Sequence, residues 1–181
     1  MADTPLPLLN IQARIPEILS MITAKGTIQN ALDMGCGRGR FAILLAQAGV
    51  SVTGVDIHNP SIIMSGFTFI NANLETFSFP TNYDAILASF VLHFLSRVAA
   101  EKIIIEMQEA TTSGGYNLLV CMSNQEQGAR TERFYPSREE LERRYDSWEV
   151  LLSEEGITPE EEHDNLSPHS HRIALLLARK I

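Results

Sequence analysis

The sequence predicts an α/β fold: a mostly parallel sheet with helices on both faces and an antiparallel hairpin at its C-terminal end. Three observations carry this. Short apolar runs alternate with segments of helical spacing from residue 30 to residue 110. An apolar run ending in Asp33 passes through a glycine bend into a helical pattern, which is how a strand hands over to a crossover helix. The last third holds two strand-like runs with no helix between them, which closes such a sheet with a hairpin.

Taken in order, Leu8 to Ile22 has helical apolar spacing, and Pro16 is admissible if the helix begins near it. Lys25-Gly26 interrupts the chain. Asn30 to Met34 is a short buried strand. Arg38 to Ala48 is a helix whose apolar face is Phe41, Leu44, Leu45 and Ala48, and Gly49 stops it. Ser51 to Val55 is the second strand. Asn59-Pro60-Ser61 reads as a helix start with proline just inside. Phe67 to Ile70 and Tyr83 to Ala88 are the third and fourth strands, and Arg97 to Ala110 is an amphipathic helix. Gly114-Gly115 turns into a fifth strand, Tyr116 to Met122. Gln125 to Pro136 is polar and aperiodic, a loop or lid over residues 125–136. Ser137-Arg138-Glu139-Glu140 is a capping box opening a helix to about Tyr145. Trp148 to Ser153 and His171 to Lys180 are the final strands, joined by the acidic, turn-rich stretch Glu154 to Ser170.

Composition bounds the class. The 181 residues suit one domain, 1–181, with residues 1–29 as an N-terminal helical segment. Apolar content of 45% and charged content of 20% describe a globular chain. A net charge of −8 argues against nucleic-acid or acidic-membrane partners, because phosphate binding rests on Lys and Arg. Met1 to Asn10 lacks the basic start of a signal peptide, and apolar runs such as Ile173 to Ala178 are too short to span a bilayer. The expected location is therefore cytoplasmic. Cys36 and Cys121 form no ladder of spacings and read as small buried hydrophobes in a reduced compartment.

The densest chemistry lies in Asp33-Met34-Gly35-Cys36-Gly37-Arg38-Gly39-Arg40, followed by Asp56 at the tip of the next strand, 17 residues past the last glycine. Glycines at alternate positions let the chain turn tightly and a ligand approach the backbone. Ligands of open α/β sheets sit at the C-terminal edge of the strands, where both acids arrive. A dinucleotide fingerprint reads G-x-G-x-x-G and cradles a pyrophosphate, which a neighbouring Asp33 would repel. The same acid would attract an ammonium group. The pattern thus favours a ligand with a cationic end and a ribose, such as S-adenosylmethionine (SAM). A bare strand-to-helix turn and an NAD-dependent enzyme are the rival readings.

With those residues in place, the chain resembles the class I SAM-dependent methyltransferases, and within them the tellurite-resistance TehB-like branch. The first motif is similar to D-x-G-C-G-x-G-R. Tyr83 to Leu87 with Val91-Leu92-His93-Phe94-Leu95, Gly114 to Val120, Leu141 to Glu149, and Leu177 to Lys180 resemble later segments of that branch. The resemblance implies a Rossmann-like, seven-stranded sheet, SAM as cofactor and S-adenosylhomocysteine as product. It further implies that Asp33 and the backbone of Gly35, Cys36, Gly37 and Gly39 face the methionine part of SAM. Asp56 would accept both ribose hydroxyls, and Ile57 and Leu74 would sandwich the adenine. Ser89 and Phe90 would stand beside the cofactor after the fourth strand, Phe90 as a wall or as core. One departure concerns the adenine amino group. The class usually meets it with an acid, where this chain has Asn73, whose amide oxygen accepts the same bond or simply caps a turn.

The acceptor side is less defined. A sulfonium departs as a neutral thioether, so no acid is needed, and a soft nucleophile such as a chalcogen oxyanion or a thiolate needs no base. His93 is the best candidate for a base, with a packing histidine as its alternative. Ser123 and Asn124 follow the fifth strand and either orient an acceptor or cap a turn. Arg130, Arg133 and Tyr135 lie in the lid segment, where arginine would suit an anion or belong to a solvated loop. His163, His169 and His171 lack a convincing further ligand, so no metal is assigned. Tyr145 and Trp148 read as packing residues. The reading is a methyltransferase for a small molecule, with tellurite- or selenite-type oxyanions or a thiol as acceptor, and a non-catalytic SAM-binding sensor or partner subunit as the alternative.

Overall fold

The computed structural model describes residues 5–24, 28–78, 82–161 and 167–181. The break read at Lys25-Gly26 and His163 lie outside the described residues. The elements in chain order are α1 (Ile11–Ala24), β1 (Asn30–Met34), α2 (Arg40–Gln47), β2 (Ser51–Asp56), β3 (Phe67–Asn71), β4 (Tyr83–Ser89), a 3-10 turn (Leu92–Phe94), α3 (Arg97–Ala110), β5 (Thr111–Met122), α4 (Arg138–Arg144), β6 (Glu149–Ile157) and β7 (Arg172–Arg179). The seven strands form one sheet in the order β3-β2-β1-β4-β5-β7-β6. Strands β1 to β5 pair in parallel, and β7 runs antiparallel to both β5 and β6. The hairpin is therefore folded back, with its second strand inserted beside β5.

Alternation along the strands feeds two cores, one on each face. In β4, Ile86 and Ala88 join the core packed by α3 and α4, and Ala85 and Leu87 join the core packed by α1 and α2. Helix α1 buries Ile11, Ile15, Ile18 and Ile22 on one stripe. It starts further from Pro16 than its sequence suggests, because Asn10 caps it: the Asn10 side chain accepts the Ala13 N–H at 3.1 Å. Strand β6 extends through Glu154 and Glu155, a stretch that reads as turn in the sequence. Glu154 is held there by a two-pronged ion pair with Arg14 at 2.8 and 2.9 Å, and charge suits an edge strand.

Two expectations change. No helix starts at Asn59-Pro60-Ser61. The Asn59 side chain instead accepts the Ser61 N–H at 2.8 Å, and Ser61 takes a positive φ of 55°, so the segment becomes a turn. The 125–136 segment is not a free lid along its length. Phe134 is fully buried, with the guanidinium groups of Arg97 and Arg144 each 5.5 Å from its ring centroid. The Arg97 N–H donates to the Glu132 carbonyl at 2.9 Å, and a short bridge joins Ser96 and Arg133. The capping box is half made: Ser137 accepts the Glu140 N–H at 3.1 Å, but the Glu140 carboxylate pairs with Arg97 and Arg144 instead.

Candidate functional site

Parallel pairing of β1 and β2 brings Asp33 and Asp56 to the same edge of the sheet. The chain leaves β1 through a bend in which Gly35, Gly37 and Gly39 have φ of 63°, 50° and 73°. The Gly35 and Cys36 N–H groups donate to the Val55 carbonyl at 2.8 and 3.2 Å, which pins the bend to β2. Asp56 completes the pin. One carboxylate oxygen accepts the Gly37 N–H and the other the His58 N–H, both at 2.9 Å. Each oxygen keeps a further lone pair.

The glycines differ in what they leave room for. A Cβ on Gly35 would lie 2.2 Å from Val91, and one on Gly39 would lie 2.2 Å from Ile62. These two are needed for packing. A Cβ on Gly37 would meet nothing nearer than 3.9 Å, so this position opens onto free space. That space is a cavity of about 920 Å3.

Eight of the sequence-derived candidates line this cavity: Gly35, Gly37, Asp56, Ile57, Asn73, Leu74, Phe90 and Arg133. Cys36, Gly39 and Ser89 are not on its wall, nor are His93, Ser123, Asn124, Arg130 and Tyr135. Residues that sequence reasoning missed include Arg38, His58, Pro60, Ala72, Val91 and Phe94. Their signal was topological. Each follows the tip of β1, β2, β3 or β4, and the crevice outside strand ends is built from all of those loops.

Asp33 stands apart from the expected geometry. Its carboxyl is buried, 3% exposed, and does not reach the cavity wall. It sits beneath the bend, where burial pushes it up to about 7 and the backbone of Ala42 at the start of α2 pulls the other way. Asp56 raises it further by repulsion. An acid on β1 faces into the sheet's packing and the helix start before it faces any cleft.

Asn73 makes the turn its alternative reading described: its side-chain oxygen accepts the Glu75 N–H at 3.0 Å. Phe90 takes a positive φ of 54°, a conformation side chains rarely adopt, at the tip of β4 against the cavity. Burial pushes the Cys36 thiol up to about 12 and raises Cys121 as well, so neither is poised as a thiolate. His93 is 7% exposed, and burial, reinforced by nearby His171, pulls its imidazole down to about 4. It is therefore neutral at pH 7. Ser123 is fully buried and its hydroxyl accepts the Gln125 N–H at 3.2 Å, the turn-capping role. Arg133 donates to the Phe94 carbonyl. Among the described residues no group of three His, Cys, Asp or Glu side chains could hold a metal ion, and no helix is long and apolar enough to cross a membrane.

Comparison with known proteins narrows the meaning of this site. The family model described as tellurite resistance protein TehB matches residues 15–178. A Haemophilus influenzae (strain 10810) protein named as a probable S-adenosyl-L-methionine-dependent methyltransferase TehB is 34% identical over 161 residues, covering 82% of this chain and 56% of that protein. The chain thus spans little more than half the length of that relative. The crystal structure of TehB from Haemophilus influenzae superposes with a TM-score of 0.76 at 27% identity, covering 92% of this chain and 62% of that one. The N-methyltransferase NodS from Bradyrhizobium japonicum WM9, solved with S-adenosylhomocysteine, superposes with a TM-score of 0.72 at 17% identity, covering 93% and 86%, and shows the shared fold.

Proposed function

The chain belongs to the TehB family of class I SAM-dependent methyltransferases, and on that footing we propose that it transfers a methyl group from SAM to a small-molecule acceptor. The observation that carries this is the Asp56–Gly37 latch beside an open glycine backbone. SAM supplies an activated methyl group on a cationic sulfur. The residues present fit it. Gly37 leaves the space a ligand's amino-acid end needs, and a Cβ there would fill it. Asp56 keeps lone pairs for ribose hydroxyls while its carboxylate is fixed by two backbone donors. Ile57 and Leu74 offer apolar contact for a flat base, and Asn73 stands beside them.

The chain's own part in the reaction is positional. Holding an acceptor in line with the methyl group supplies about 7–11 kcal/mol of barrier reduction. Val91, Phe94 and Leu95 exclude water from the β4 side of the cavity. Arg133 on the same side favours an anionic acceptor, which supports oxyanions of the tellurite and selenite type over neutral amines.

The test is turnover. Incubation of the chain with SAM and, separately, tellurite, selenite, thiols and aromatic amines is expected to yield S-adenosylhomocysteine with an anionic acceptor. Tight SAM binding with no product from any of them would instead identify a sensor.

A further inference from the structure

Of the 125–136 segment only Arg133 reaches the cavity wall. Its backbone bridges to Ser96, and its neighbour Phe134 is buried in the seam between α3 and α4, both off the wall. Its guanidinium donates to the carbonyl of Phe94, which is itself a wall residue. The charged end of Arg133, and not its backbone, is therefore the part that stands at the wall. That end makes no ion pair among the described residues, so its charge and its remaining N–H donors are uncommitted.

The wall around this charge is apolar. Phe90, Val91, Phe94 and Leu95 make up the rest of the β4 side. Phe94 is 66% exposed, a large aromatic surface left at a cavity. Val91 packs onto the glycine bend, its side chain 2.2 Å from where a Cβ of Gly35 would lie. The wall thus adjoins the bend that would hold the amino-acid end of SAM. The cavity, about 920 Å3, is near the top of the roughly 300–1,000 Å3 range of small-molecule sites, with room for more than a small ion beside the cofactor. No member of the wall can take a proton at neutral pH, since four are apolar and Arg133 is always charged. The lining groups that titrate, Asp56, His58 and Glu75, follow β2 and β3, on the far side of β1. An acceptor seated on the β4 wall must therefore arrive already ionised.

We propose that the acceptor is an organic anion with an apolar body, an aryl thiolate or carboxylate, whose charge is held by Arg133 and whose ring lies on Phe94. This rests on the methyltransferase reading above and narrows its anionic acceptors. A selenite-type oxyanion would meet Arg133 alone and leave the Phe94 surface uncovered. In the transfer, a lone pair on the acceptor's sulfur or oxygen forms the new bond to the methyl carbon. The bond from that carbon to the sulfonium breaks, and its electron pair goes to the sulfur. The products are a methyl thioether or methyl ester and S-adenosylhomocysteine, whose sulfur is neutral, and no proton moves.

The experiment is calorimetry of the full chain saturated with S-adenosylhomocysteine, titrated separately with sodium benzoate, thiophenol, sodium selenite and benzyl alcohol at pH 8. Benzoate, thiophenolate or both are expected to bind at least tenfold more tightly than selenite, which lacks the ring, and than benzyl alcohol, which lacks the charge. Phe94→Ala should remove most of the preference for the aryl anion over selenite. Arg133→Met should remove most of its preference over benzyl alcohol. Each comparison is a ratio within one variant, so a general loss of stability does not imitate it. Turnover with SAM then separates the two anions: methyl phenyl sulfide marks the thiolate and methyl benzoate the carboxylate. Selenite or benzyl alcohol binding as tightly as the aryl anions, preferences untouched by Phe94→Ala or by Arg133→Met, or aryl-anion binding with neither product would overturn the proposal. Failure of the methyltransferase reading would show first and separately, as no heat with S-adenosylhomocysteine itself, and would end both.

Discussion

Asp56 does two jobs that a single substitution to alanine would confuse. Its carboxylate latches Gly37 and His58 and faces the cavity at the same time. Its side chain is only 15% exposed, so it is not the bare strand tip that the sequence suggests. Asp56→Asn keeps the shape and one acceptor oxygen while removing the charge. Hydrogen bonds to charged groups contribute about 1.5–3 kcal/mol, so SAM affinity should fall roughly 10- to 150-fold in calorimetry. Equal affinity would remove the ribose role. Asp33 makes the opposite kind of prediction. Burial pushes its folded pKa up to about 7, well above the ordinary carboxylate range, so the fold prefers it protonated. Its favourable contribution is complete below about pH 4 and is lost as pH rises through 7. Asp33→Asn should therefore be more stable than the wild type at pH 8, by up to about 4 kcal/mol at about 1.4 kcal/mol per pKa unit. Denaturation curves of the two should converge below pH 4. A cation bound close by would favour the ionised form, so SAM should bind more tightly at pH 8 than at pH 6.

The elements that the sequence reveals best are those whose pattern and burial agree. Helix α3 and strand β1 fall on their predicted residues, because an amphipathic stripe and a doubly buried strand each have one way to pack. The glycine bend was legible as a tight strand-to-helix turn, because three glycines at alternate positions admit the positive φ values it takes, and Asp56 as the tip of β2 beside it. The 125–136 segment was legible as a loop but not as a packed one. Its polarity is real, but one aromatic residue reverses its meaning: Phe134 plugs the seam between α3 and α4 under two guanidinium groups. Contacts between residues 97, 134 and 144 leave no local period to read. Phe134→Ala should destabilise the chain by about 3–5 kcal/mol in urea unfolding, as a buried aromatic does. A loss below 1 kcal/mol would return this segment to the status of a loose lid. The cover that does lie on the glycine bend is 57–64, where Ile62 reaches Gly39 and His58, Asn59 and Pro60 line the cavity. Its helix-start signal, Asn-Pro-Ser, was spent on a turn, because Asn59 bonds to Ser61 two residues on.

At the scale of the molecule, the parallel half and the antiparallel half of the sheet divide the work. Strands β1 to β4 deliver every cavity-lining loop but one, and Arg133 is the exception. Strands β5, β7 and β6 give the sheet its buried mass; β7 is fully buried from Ile173 to Ala178. A ligand held only by the first half should still stabilise the whole, because each of the two cores runs through both halves of the sheet. This makes thermal unfolding a fair reporter of ligand class. A ligand at 100 times its dissociation constant adds about 2.7 kcal/mol, and a chain of this length shifts its melting temperature by roughly 2–4 °C per kcal/mol. SAM and S-adenosylhomocysteine should each raise the melting temperature by about 5–10 °C at such excess. NAD should leave it unchanged, since the bend offers no N-terminal helix cradle free of acid: Asp33 lies beneath it and Asp56 across it. A shift with NAD and none with S-adenosylhomocysteine would mean that the latch between Asp56 and Gly37 serves a phosphate-bearing ligand after all.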